Sequence, residues 1–159
     1  MQKTGCRMST VITREVFRYL ANHVWEIQDN KINVINKFAK DFNLYMSVLN
    51  FINSYTKTID NYLDMVKTGS GAQKLPFVIL DSVVHVADLT EGRITQYKII
   101  LPPKEPQEDD IGAEIKKISC FTELAKSLLF KGVNEKVSIE NNDKKTIGKI
   151  ERIEFDLLL

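Results

Sequence analysis

The chain has 159 residues, 43% of them hydrophobic and 27% charged, a profile that fits one sizeable globular domain or two small ones. Lys+Arg at 22 against Asp+Glu at 21 leaves a net charge of +1, without the overall basic excess that binding to naked nucleic acid needs. A protein partner or a small ligand is the better expectation, and no apolar run reaches the roughly 18 residues of a membrane span.

Met1–Met8 is too polar for a secretory signal, and Met8 is an alternative start that the sequence does not decide. Cys6 and Cys120 have neither metal-ligand nor redox spacing, the pattern of reduced thiols in a cytoplasmic protein. Thr13 is placed to cap a first helix. Beyond it Phe17, Leu20, Val24, Ile27, Val34 and Phe38 follow alternating steps of three and four, with Lys31 at the one polar seam position. Tyr45, Val48, Ile52, Tyr55, Ile59, Tyr62 and Val66 keep the same alternation, which is the seam of a coiled coil. Between the two sets, Lys40-Asp41-Phe42-Asn43 is a turn, since Asp and Asn bend the chain readily.

A short turn between helices of equal length makes them antiparallel. At about 1.5 Å per residue the hairpin is roughly 33 Å long. An arm of this kind exposes much of its surface and suits reaching into something; the alternative is half of a four-helix bundle closed by a second copy, so a homodimer stays open. Trp25, beside the seam, is expected to pack. His23 and His85 have no paired ligand pattern and are expected to be structural, with no metal bound.

The chain changes character near Thr68–Pro76. All four prolines follow Lys74, and Thr68-Gly69-Ser70-Gly71-Ala72 has the composition of a flexible joint. The expected division is a hairpin over 1–68, a linker over 69–76 and a second domain over 77–159. There Phe77–Leu89 is a β-rich run with Val84 and Val86 on one face, Glu91-Gly92 a turn, and Tyr97, Ile99 and Leu101 the alternating positions of the next strand. Pro102 and Pro103 end it. A polar loop, Lys104–Gly112, contains the acidic run Glu105–Asp110, expected to be solvated. A third strand over Glu114–Ser119 precedes a short helix capped by Thr122, with Leu124, Ala125, Leu128 and Leu129 as its apolar face. Lys136–Glu140 and Thr146–Asp156 are the last strands, joined at Asn141-Asn142-Asp143. The fold class is α+β: a helical hairpin, then a small antiparallel sheet with one helix.

The stretch from Ile118 to Lys131, Ile-Ser-Cys-Phe-Thr-Glu-Leu-Ala-Lys-Ser-Leu-Leu-Phe-Lys, resembles the C-terminal signature of the Gre transcript-cleavage factors. In that family a strand ending in Ile-Ser leads through Ser-Pro to a helix reading Ala-Leu-Leu-Gly-Lys. Asp81–Val86 resembles the family's Gly-Ser-x-Val-x-Val strand, Ile147–Phe155 its closing strand, and Ile12-Thr13-Arg14-Glu15 with Leu20 the start of its first helix. The resemblance covers nearly the whole chain. It implies a coiled-coil finger, a C-terminal domain similar to FKBP prolyl isomerases in fold, and RNA polymerase as the cytoplasmic partner. The sheet domain would dock at the rim of the polymerase secondary channel, and the finger would enter it.

Two departures shape the functional expectation. The family's tip carries several carboxylates that help hold a second catalytic Mg²⁺, an ion that demands multiple hard oxygen ligands. Here Lys40, Asp41, Phe42 and Asn43 form the tip, Leu44 takes the glutamate position, and Asp41 is the lone carboxylate from Asn30 to Ile59 beside Lys31, Lys37, Lys40 and Lys57. Asp41 would at most assist a polymerase-bound Mg²⁺, and its plainer role is a turn residue; Phe42 is an apical aromatic that either makes contacts or folds back onto Phe38. The family's Ser-Pro pair is replaced by Thr122-Glu123, so docking would fall to Ser119, Thr122, Glu123 and Leu124.

The expectation is a regulator at the secondary channel that does not stimulate transcript cleavage, brings no cofactor of its own and reads no DNA sequence directly. The alternative is an active cleavage factor using Asp41. A remoter one is an FKBP-like peptide-binding or prolyl isomerase domain, for which Phe77, Tyr97, Phe121 and Phe155 form no evident cleft.

Overall fold

The computed structural model describes residues 11–102, 114–141 and 143–156. Cys6, Met8, the acidic run 105–110 and Asn142 lie outside the described residues. The protein is α+β, and its described residues divide between Gln73 and Lys74 into a helical unit and a sheet unit.

In the helical unit, α1 (Arg14–Asp29) starts where expected: the Thr13 hydroxyl accepts the Val16 N–H, satisfying one of the orphan donors of the first turn. The same hydroxyl donates to Gln73 Oε1 at 2.6 Å. The helix stops at Asn30, which leaves helical geometry at φ −93° and ψ 0°, and α2 (Lys31–Asn36) follows. A single first helix through Phe38 was expected; two are found, and the buried face departs from the expected seam on both sides of Asn30. Leu20, Val24 and Phe38 are buried as expected, but Val16 and Ile35 take the places of Phe17 and Val34, which are only half-buried. Helix α3 (Phe42–Met65) is uninterrupted, and Val48, Ile52, Tyr55, Ile59 and Tyr62 are buried along its seam, while Tyr45 and Val66, the outer positions of the expected seam, are half-buried.

Two polar contacts fix the register of the hairpin. His23 Nε2 lies 2.6 Å from the Tyr55 hydroxyl, and Lys31 Nζ donates to Asn53 Oδ1 at 2.6 Å. At the hairpin base, β1 (Val11–Ile12) and β2 (Lys67–Thr68) pair in parallel, and Gly69 N–H bonds Ile12 O. A parallel pair needs a crossover connection, and the whole hairpin serves as that connection. The first residues of the expected joint are therefore held by backbone hydrogen bonds. Trp25, expected to pack, is instead 64% exposed on α1.

The sheet unit contains β3 (Val83–Asp88), β4 (Ile94–Ile100), β5 (Ile115–Ser119), β6 (Lys136–Asn141) and β7 (Lys144–Glu154), in the spatial order β5-β4-β3-β7-β6. Neighbours are antiparallel except β4 and β5, which run parallel. The sheet is thus mixed rather than wholly antiparallel, and the stretch between Ile100 and Ile115 is long enough to connect parallel strands. The expected strand Phe77–Leu89 begins only at Val83. Phe77–Leu80 is buried, but Asp81 takes a left-handed φ of 68°, and the Ser82 hydroxyl donates to Ile79 O while accepting Ile79 N–H. Alternation along the strands puts Val84, Val86, Tyr97, Ile99, Val137 and Ile150 on the buried side. Helix α4 (Glu123–Leu128) buries Ala125 and Leu128 and packs beside β6.

Candidate functional site

Two regions collect the residues singled out in the sequence: the hairpin tip and the corner between β5 and α4. They belong to different units, and each is described by itself.

At the tip, the chain leaves α2 through turns over residues 37–40 and enters α3 at Asp41. Asp41 is extended at φ −118° and ψ 99°, and its Oδ1 accepts the Leu44 N–H at 3.1 Å. That is the N-cap bond, which satisfies an amide the helix cannot pair internally. One carboxylate oxygen is therefore committed to the backbone. Lys40, Asp41 and Asn43 are exposed, and Phe42 is 72% exposed while Phe38 is buried beneath the turn. The apical ring does not fold back into the seam. Among the described residues no group of three or more His, Cys, Asp or Glu is arranged to hold a metal ion. The tip offers an aromatic ring and lysines rather than a set of hard oxygen ligands.

At the corner, Ser119 ends β5 opposite Ile100. Its hydroxyl accepts the Phe121 N–H at 3.2 Å, and its carbonyl accepts the Thr122 hydroxyl at 2.9 Å. Thr122 Oγ1 in turn accepts the Ala125 N–H at 3.2 Å, which caps α4 as expected. Glu123 sits in the first turn of α4, where the helix dipole favours an acid, and reaches Lys126 at 3.5 Å on the surface. Thr122 and Glu123 are exposed, whereas Ser119 and Leu124 are half-buried. The hydroxyl network satisfies the turn's backbone groups, and the corner exposes Thr122 and Glu123. Cys120 beneath it is buried, and burial pushes its thiol up to about 11, so it supplies no nucleophile.

The chain is similar to Gre-type transcription factors of known structure. The GreA factor homolog 1 (Gfh1) protein of Thermus thermophilus matches at 14% identity and a TM-score of 0.42, over 92% of this chain and 99% of that one. Gfh1 of Thermus aquaticus matches at 15% identity and 0.42, over 93% and 99%. The prokaryotic transcription elongation factor GreA/GreB from Nitrosomonas europaea matches at 11% identity and 0.45, over 92% and 98%. No protein-family profile matches the chain, and no curated protein matches it by sequence. Likeness at this level does not argue for a function, which has to rest on the residues of the tip and the corner.

Sequence reasoning placed the two caps correctly, whereas the expected turn Lys40-Asp41-Phe42-Asn43 is formed instead by residues 37–40, with Phe42 and Asn43 already in α3. It missed the bond between His23 and Tyr55, which joins two helices 32 residues apart in sequence. The only sequence signal is that a half-buried His in a hairpin seam needs a polar partner on the facing helix.

Proposed function

We propose that the protein binds RNA polymerase, with the hairpin entering the secondary channel and the β5–α4 corner docking at its rim, and that it does not stimulate transcript cleavage. The observation that carries the second half is the use of Asp41. It is the lone carboxylate between Asn30 and Ile59, and one of its oxygens caps α3. Holding a catalytic divalent cation takes several oxygen ligands at about 2.0–2.1 Å in near-octahedral geometry, and this tip supplies too few. The Gre resemblance of residues 118–131 and the antiparallel hairpin support the first half. Lys40, Phe42 and Asn43 would meet the channel interior, and Ser119, Thr122, Glu123 and Leu124 the rim. The protein then acts by occupying the channel or by displacing true cleavage factors, in the compartment where the polymerase works.

Cross-linking tests the insertion. A Cys6→Ser/Phe42→Cys variant carrying a thiol-linked photo-crosslinker should label polymerase residues lining the channel next to the active centre, since buried Cys120 stays unlabelled. Labelling confined to the polymerase exterior, or none, would reject it.

A further inference from the structure

The sheet has two edges, and they differ in the charge they present. The charged residues of β5 are Lys116 and Lys117, so a second copy of that strand would meet lysine with lysine. Those of β6 are Lys136 and Glu140, one of each sign, on the same face of the strand with Ser138 between them. Ile150 N–H donates to Glu135 O at 3.0 Å, and Ile147 O turns the other way to accept Leu89 N–H at 3.0 Å. With Lys136, Ser138 and Glu140 in register with Lys149, Ile147 and Lys145, the backbone groups of these three β6 residues therefore point away from β7. Among the described residues they meet one partner: the Ser127 hydroxyl lies 3.5 Å from Ser138 O. That is long for a hydrogen bond, and the carbonyl keeps a second lone pair.

Two copies of β6 can pair antiparallel about a two-fold axis at Ser138. Lys136 then stands opposite Glu140 of the second copy at both ends, Val137 stands opposite Ile139, and the outward backbone groups of all three residues pair. The neighbouring registers with the same hydrogen-bond phase, centred on Lys136 or on Glu140, set like charges against each other. Within one chain Lys136 faces Lys149, a destabilising pair. Lys149 is answered by Glu151 at 3.5 Å and Glu140 faces Lys145, but Lys136 has no ion pair among the described residues. The second copy's Glu140 supplies the carboxylate that Lys136 lacks. We propose that the β6 edge is a contact between two copies of this chain, which joins their sheets into one. The contact is separate from the hairpin and does not depend on polymerase as partner.

Sedimentation of the full chain over a concentration series should show a monomer–dimer equilibrium. Lys136→Glu sets carboxylate against carboxylate across the contact but improves the match to Lys149 within the chain. Its dimer should weaken by about tenfold, with no fall in the melting temperature of the monomer. Glu140→Lys should weaken the dimer similarly. Mixed together, the two variants should pair with each other, because each carries the charge that the other now needs, and misfolding of either cannot produce that result. A wild-type protein that stays monomeric throughout, or two variants that do not pair on mixing, would overturn the proposal. A dimer indifferent to both substitutions would place the second copy elsewhere, the hairpin included, and overturn it as well.

Discussion

Phe130 follows the C-cap of α4 in the left-handed region, at φ 66°. A bulky residue there is disfavoured by on the order of 1–2 kcal/mol. Its N–H bonds Val78 O at 2.9 Å, and its ring meets Phe77 edge to face at a centroid distance of 5.5 Å, which holds the conformation. Phe130→Ala keeps the strain and loses the ring, whereas Phe130→Gly loses the ring but relieves the strain. The alanine variant should therefore have the lower urea midpoint. Gly148 is needed for space: a Cβ there would lie 2.6 Å from Ile139 Cδ1 and 2.7 Å from Val86 Cγ1. Gly148→Ala should destabilise by about 1–3 kcal/mol through overpacking, read as a shift of the same midpoint.

Two titrating groups give further checks at this scale. Because burial holds the Cys120 thiol near 11, a Cys6→Ser variant should show no reaction with a disulfide reagent at pH 8 until it is unfolded. Rapid labelling of the native protein would contradict the burial. Glu154 accepts from His85 at 2.8 Å and pairs with Arg152 at 3.0 Å, and the His85 hydrogen bond, followed by the Arg152 charge, lowers its pKa below 4.5. A carboxylate lowered in the folded state favours folding above its unfolded pKa, and the benefit disappears as pH falls through the folded value. Wild type should thus exceed Glu154→Gln in stability near pH 6, with the gap closing below about pH 4.5. The carboxylate is partly exposed, so salt should narrow the gap too.

The hairpin shows what a seam pattern reveals and what it hides. The alternation of Val48, Ile52, Tyr55, Ile59 and Tyr62 identified the buried face of α3, because a regular helix keeps such residues on one side. The same pattern misplaced part of the first helix. Asn30 leaves ideal helical geometry, yet its N–H bonds Glu26 O and its carbonyl accepts the Val34 N–H, so Ile35, about three turns after Val24, lies on the same face as Val24. The Asn30 side chain makes no capping hydrogen bond, and a strict seven-residue alternation drifts across the face of a straight helix, which is why the seam pattern and the buried face part. The tip was legible because Asp41 is a good cap flanked by seams of equal length. The exposure of Trp25 was not, since an aromatic next to a seam carries no sign of what covers it. Tyr55→Phe removes the hydroxyl that meets His23 and should cost about 1 kcal/mol, read by chemical denaturation.

Across the whole molecule, the order of hairpin, sheet and capped helix followed from the change in period near Thr68 and from the turn residues. The parallel pairing of β4 with β5 did not, because nothing in the alternation of a short strand distinguishes its direction. Partner and mechanism are a further step. They rest on a signature-like segment around Thr122, on a corner held by hydroxyl bonds, and on a tip whose one acid caps its own helix. Asp41→Asn sharpens this step, since asparagine caps as well as aspartate while the charge is lost. The hairpin should keep its stability and polymerase binding should be unchanged.

The most direct measurement adds the purified protein to a backtracked RNA polymerase elongation complex and follows binding and RNA cleavage together. Saturable binding with cleavage no faster than polymerase alone is the predicted result. Stimulated cleavage, which its loss in Asp41→Asn would trace to the tip, or no binding at all, would contradict the account.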